Sequence, residues 1–128
     1  MLDDRVIGLT AFVHVADLER SIAFYETLGL EVRDRFPPTG RRTWVYLDNG
    51  REARLMLTAA SAPIDATAQA VLFYTYVRDL DAFRDRVLAD GIDAGPIRDG
   101  TPGPRRELAL DDPDGYRVMV AEIEPPTA

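Results

Sequence analysis

The stretch "HVADLERSIAFYETLGLE" (14–31) returns 62 residues later, in outline, as "YVRDLDAFRDRVLADGID" (76–93). Each copy leaves an apolar, β-branched and aromatic run, meets an Asp-Leu pair (Asp17-Leu18, Asp79-Leu80) and closes on a glycine (Gly29, Gly91). Asp before an apolar-periodic segment reads as a helix N-cap, and Gly after it as a stop. Leu18, Ile22 and Tyr25 stand at helical spacing between them. A second match follows in the same order: Arg54-Leu55-Met56-Leu57 against Arg117-Val118-Met119-Val120, 63 residues on. Two matches in one order make an internal repeat, which bears on the whole fold.

Working outward from the two helices, each copy reads strand–helix–strand–strand–strand. In the first, strands fall at 5–15, 30–36, 41–48 and 52–59, with breaks at Pro37-Pro38 and the Asn49-Gly50 turn. In the second they fall at 70–77, 95–98, 105–111 and 116–123, the last two forming a hairpin around Asp112-Pro113-Asp114-Gly115. The small, polar segment 60–69 reads as a linker, and 124–128 as a frayed end. The expected architecture is α+β: one domain over 1–128, built from two βαβββ modules at about 5–59 and 70–124.

Composition narrows the function classes. With no cysteine there is no disulfide, no thiolate metal site and no cysteine nucleophile, which fits a cytoplasmic protein. A formal charge of −7 with no basic stripe argues against nucleic acid as a partner. No apolar run is long enough to span a bilayer, and acidic residues stand where a secretory signal carries positive ones. No Gly-x-x-x-x-Gly-Lys-Ser/Thr run is present for phosphate. The acids of 111–115 lack calcium-loop spacing and read as a turn. The basic pairs in "GRR" (40–42) and "PRR" (104–106) read as solvated strand openings.

Alternation along the strands sorts side chains onto two faces. Leu55 and Leu57, and in the repeat Val118 and Val120, should pack on the helices. The opposite faces collect Phe12 and His14, Trp44 and Tyr46, Arg54 and Met56, Tyr74 and Tyr76, and Arg117 and Met119. With Glu107 these are the candidate ligand-binding residues: aromatic planes for stacking, arginines for planar donation. A subunit interface or a second small core would use the same residue types.

"FVHVADLERSIAFYETLGLEV" (12–32) together with "LDDPDGYRVMVAE" (110–122) resembles the vicinal oxygen chelate superfamily. That group takes in glyoxalase I, extradiol dioxygenases, methylmalonyl-CoA epimerase, and the fosfomycin and bleomycin resistance proteins. The resemblance covers essentially the whole chain. It implies paired βαβββ modules forming a curved mixed sheet around a cleft, commonly in a homodimer. In metal-dependent members four strand positions supply His, Gln or Glu to a divalent cation. Here those positions fall on Thr10, Met56, Leu72 and Met119, so the resemblance implies no metal and no cofactor. His14, the single histidine, misses that register by four residues and reads as a strand-end residue or a hydrogen-bonding group at the cleft rim. The expectation is a metal-free, homodimeric protein binding a small planar organic ligand, without a nucleic-acid or membrane partner. Two alternatives stand beside it. One is a metal-independent lyase-, isomerase- or dioxygenase-like enzyme with His14 or Glu107 as base and an arginine as oxyanion partner. The other is a degenerate scaffold with a self-filled cleft.

Overall fold

The computed structural model describes residues 4–6, 8–99 and 105–123; the segment 124–128 and Pro104, both read above from sequence, lie outside them. The chain divides into two units, residues 1–63 and 64–128.

In the first unit the elements are β1 (Ala11–Val15), α1 (Leu18–Thr27), β2 (Glu31–Phe36), β3 (Trp44–Asp48) and β4 (Arg54–Ala59). Asp17 caps α1 from an extended conformation, its Oδ1 accepting from the Arg20 N–H at 3.1 Å. Leu18, Ile22 and Tyr25 are buried as their spacing requires, and Ser21 and Phe24 join them. Gly29 follows with φ 110° and donates to Glu26 O. The sheet runs β1-β4-β3-β2, with β1 parallel to β4 and the other pairs antiparallel. One face buries Val13, Val15, Val45, Leu47, Leu55 and Leu57, and α1 packs against β4 and β2. β1 is shorter than the apolar run 5–15 suggests, because only 11–15 has β4 to pair with. Asn49 holds the β3–β4 connection by accepting from the Arg51 and Ala53 N–H groups, with Gly50 at φ 78°. That loop therefore covers 49–53 and is longer than a two-residue hairpin turn.

The second unit repeats the scheme with β5 (Leu72–Val77), α2 (Leu80–Ala89), β6 (Glu107–Asp111) and β7 (Arg117–Glu122). Asp79 caps α2, accepting from Ala82 N–H at 3.0 Å. Leu80, Phe83 and Val87 are buried along with Leu108, Leu110, Val118 and Val120, and α2 packs on β7. The sheet order is β5-β7-β6, with β5 parallel to β7. Small bonds recur with the repeat: Ala60 N–H donates to Val15 O in one unit, and Ile123 N–H to Val77 O in the other.

One expected strand is reduced. Where 95–98 should pair with β6, only two isolated bridges form, Ala94 with Leu110 and Arg98 with Glu107. They are one residue out of register with each other. Pro96 has no N–H to donate between them, and a Cβ on Gly95 would sit 3.0 Å from the Ala109 carbonyl oxygen. The expected turn is present at 112–115, built around buried Asp112, whose Oδ1 accepts from Asp114 N–H at 2.8 Å and Tyr116 N–H at 2.9 Å. Its carboxylate serves the backbone.

A sheet face of aromatic rows

Strand register decides which candidate residues become neighbours. In the first unit Phe12 pairs with Met56, and Met56 with Tyr46, across three adjacent strands. The next row of the same face is His14, Thr58, Trp44 and Phe36. Two strand spacings by one row step give a floor of about 10 by 7 Å, the size of a two- or three-ring aromatic. Phe12, His14 and Phe36 are exposed, while Trp44, Tyr46, Met56 and Thr58 are half-buried. The opposite face of the same strands is the finished core, so these rings are surplus to folding. Phe12 and His14 meet edge to face, centroids 5.7 Å apart.

The second unit carries the matching rows. Tyr74 pairs with Met119, which pairs with Ala109; Tyr76 pairs with Ala121, which pairs with Glu107. The rings of Tyr74 and Tyr76 lie 5.6 Å apart at 42°, both substantially exposed. Tyr74 donates its phenolic O–H to Glu107 Oε2. This bond, followed by desolvation and the carboxylate's charge, pushes the Tyr74 phenol above the ordinary tyrosine range.

The arginines behave differently from their expected role. Arg117 donates from Nε to Asp111 Oδ1 at 3.1 Å, its direct partner across the β6–β7 ladder. Arg54 is exposed and forms no ion pair among the described residues. Neither arginine shares a row with a candidate base. Glu107 stands four residues from Asp111, the partner of Arg117, and Thr58, the partner of His14, stands four residues from Arg54. Four residues of strand are about 13 Å. Within each unit, therefore, neither Arg54 nor Arg117 stands in the row of a candidate base.

The four positions that the resemblance assigns to a cation, Thr10, Met56, Leu72 and Met119, offer a hydroxyl, two thioethers and an alkyl group. This donor set does not fit a hard divalent ion. Among the described residues the acidic group that gathers is Asp79, Asp81 and Glu122. It is already committed: Arg106 bridges Asp81 and Glu122 at 3.3 Å each, Asp79 caps α2, and Glu122 accepts from Leu80 N–H.

Three features escaped the sequence reading. Phe36 joins the aromatic row because the bulge at Arg33 shifts β2 by one residue, which alternation alone hides. The Tyr74–Glu107 bond crosses from β5 to β6 over β7 and leaves no local trace. The third is a repeated clamp: Glu19 accepts from Nε and Nη2 of Arg42 at 2.8 Å each, and Asp81 accepts from Nη1 and Nη2 of Arg106 at 3.3 Å. It ties the first turn of each helix to the residues just before β3 or β6, and the near-equal offsets within the repeat could have revealed it.

That clamp makes a pH-dependent prediction. The Arg42 hydrogen bond holds the Glu19 carboxyl below the ordinary glutamate value. A depressed carboxylate stabilises above its unfolded pKa and loses that contribution as pH falls through the folded one. The pair is largely exposed, so Glu19→Gln is expected to lose only about 0.5–1 kcal/mol at neutral pH. In urea titrations of both proteins the gap should narrow as pH falls below the ordinary glutamate value, and close once the folded carboxyl is protonated. A gap that persists in acid means the loss is packing, not charge.

Residues 7–120 match the family described as Glyoxalase/Bleomycin resistance protein/Dioxygenase superfamily. By sequence the chain matches no curated protein. Among solved structures, a bleomycin-binding protein complexed with bleomycin is 22% identical, with a TM-score of 0.74, covering 93% of this chain and 100% of that one. TnmS3, an antibiotic-binding protein from Streptomyces sp. CB03234, is 23% identical at TM-score 0.72, covering 96% and 98%. A lactoylglutathione lyase from Agrobacterium tumefaciens is 22% identical at TM-score 0.67, covering 93% and 96%. At these identities the likeness is one of fold.

Proposed function

The chain belongs to the Glyoxalase/Bleomycin resistance protein/Dioxygenase superfamily, and on that premise we propose that it is a small-molecule-binding protein that holds a planar organic ligand against its aromatic sheet faces. The observation that carries this reading is the pair of rows Phe12–Met56–Tyr46 and His14–Thr58–Trp44–Phe36. Rings that complete no core and share one sheet face offer apolar contact area to a flat partner. The bleomycin-binding and antibiotic-binding proteins among its structural neighbours support the same class of ligand.

Binding is favoured over turnover because Arg117, an expected oxyanion partner, is tied to Asp111 rather than aimed at a candidate base. The donor set likewise supports a metal-free protein. We further propose a cytoplasmic homodimer, for which the lack of cysteine and the exposed Leu9, Val71 and Leu72 speak. No helix among the described residues is long and apolar enough to cross a membrane.

Trp44, the single tryptophan, is a built-in reporter on the first unit's floor. Titration with bleomycin and with 9-aminoacridine should quench or shift its emission for at least one of them. Phe12→Ala should then weaken binding by about tenfold, the worth of one good aromatic contact. Emission indifferent to both ligands, or an affinity that Phe12→Ala and Tyr46→Ala leave unchanged, sinks the proposal.

A further inference from the structure

The hydrogen bond between Tyr74 and Glu107 restricts what the second unit's face can recognise. A phenol has one proton, and that of Tyr74 is given to Glu107 Oε2. Its oxygen is left with lone pairs alone. The other carboxylate oxygen of Glu107 is also an acceptor. The Glu107 backbone adds no donor, because its N–H goes to Arg98 O and its carbonyl accepts from Arg98 N–H, at 2.9 Å each. Two acceptors therefore stand together on an aromatic face, with no donor left on the Tyr74 hydroxyl or the Glu107 backbone.

The surroundings keep this character. Of the arginines beside this face, Arg117 is bound to Asp111, four residues along β6 from Glu107, and Arg98 is the backbone partner of Glu107 itself. Arg105 is near enough to act on Tyr74, but its influence is the smallest there and that of Glu107 the largest. Ala109, half-buried beside Met119 in the ladder, adds no polar group to the floor, and Ala121 beside Tyr76 is fully buried.

We propose that Tyr74 and Glu107 form a two-acceptor subsite for the N–H edge of a flat ligand of the amidine or aminoheterocycle class, with the ligand's ring against Tyr76 and Met119. The proposal rests on the aromatic-face reading above and deepens it by naming the ligand's chemistry. An edge with two N–H groups meets both acceptors at once, and a positive charge on it strengthens both bonds. A carboxylate edge faces two acceptors and is refused.

The test uses the whole protein and two probes that share a ring and differ at the edge, 2-naphthamidine and 2-naphthoate, by calorimetric titration. The amidine is expected to bind about tenfold more tightly, the worth of one charge-assisted hydrogen bond. Glu107→Gln should bring the two within about twofold, and Tyr74→Phe should reduce the preference by a smaller factor. Glu52→Gln, an exposed acid in the β3–β4 loop, should preserve it and so separates the subsite from the general attraction of an acidic protein. Equal binding of the two probes overturns the subsite while the aromatic-face reading stands. A preference that survives Glu107→Gln, or vanishes with Glu52→Gln, overturns it too. If neither naphthalene binds, the aromatic-face reading fails and the subsite fails with it.

Discussion

Replacing Gly115 with alanine should cost about 3–4 kcal/mol, a fall of roughly 10–15 °C in melting temperature for a domain of this size. Two effects add. The glycine sits at φ 83°, where an L side chain crowds its own backbone by about 1–2 kcal/mol. A Cβ built there would also lie 2.9 Å from the Ala66 carbonyl carbon and Cα, and closer still to its oxygen. No flexible side chain can give way, since all three atoms are backbone. The segment 65–69 must move, and with it the bond from Gln69 Nε2 to Asp114 O. Gly91 is the matched control, with nearly the same φ of 84° and nothing within 4 Å of a Cβ. Gly91→Ala should therefore cost about 1–2 kcal/mol, the backbone part alone. Thermal melts of the two variants separate the terms. Equal losses would mean that Ala66 does not press on the turn.

Leu57→Ala is expected to destabilise by about 2–5 kcal/mol, and Met56→Ala, one residue earlier, by no more than about 1–1.5 kcal/mol. Leu57 is fully buried in the interior strand β4, between Val13 of β1 and Val45 of β3, so its loss leaves a cavity that two paired strands cannot close. Met56 points to the other face, half-buried between Phe12 and Tyr46, where solvent can fill the gap. Ligand affinity should reverse the order. Met56→Ala weakens binding of a planar ligand several-fold, while Leu57→Ala, in whatever fraction stays folded, changes it little. Denaturant midpoints and Trp44 titrations on both variants check the crossing. Similar losses of stability at 56 and 57 would contradict the assignment of faces.

The parts of the molecule that were legible beforehand are those governed by neighbours in the chain. Asp17 and Asp79 cap their helices because a short carboxylate reaches the N–H three residues on, whatever the rest of the protein does. Gly29 and Gly91 end them because the backbone turns left-handed there. Alternation alone separated Leu55 and Leu57 from Met56, and the repeat carried the same division to Val118, Val120 and Met119. The expected short strand at 95–98 failed where a local reading met a tertiary limit: Pro96 and the close approach of Gly95 to Ala109 stop a ladder.

The candidate site divides along the same line. Sequence by itself determined which residue types share a face, since that follows from the two-residue period of a strand. With the resemblance it also gave the expectation that Thr10, Met56, Leu72 and Met119 together make a poor donor set for a hard cation, since donor chemistry travels with residue identity. Tertiary structure alone decided what those faces present. Register tied Arg117 to Asp111, the bulge at Arg33 brought Phe36 beside Trp44, and the order β5-β7-β6 let Tyr74 reach across β7 to Glu107. Each of these depends on how strands far apart in the chain are laid side by side. A period of two fixes a side chain's direction but not its neighbour across the sheet, and the neighbour sets the charge and the hydrogen-bonding character of the site.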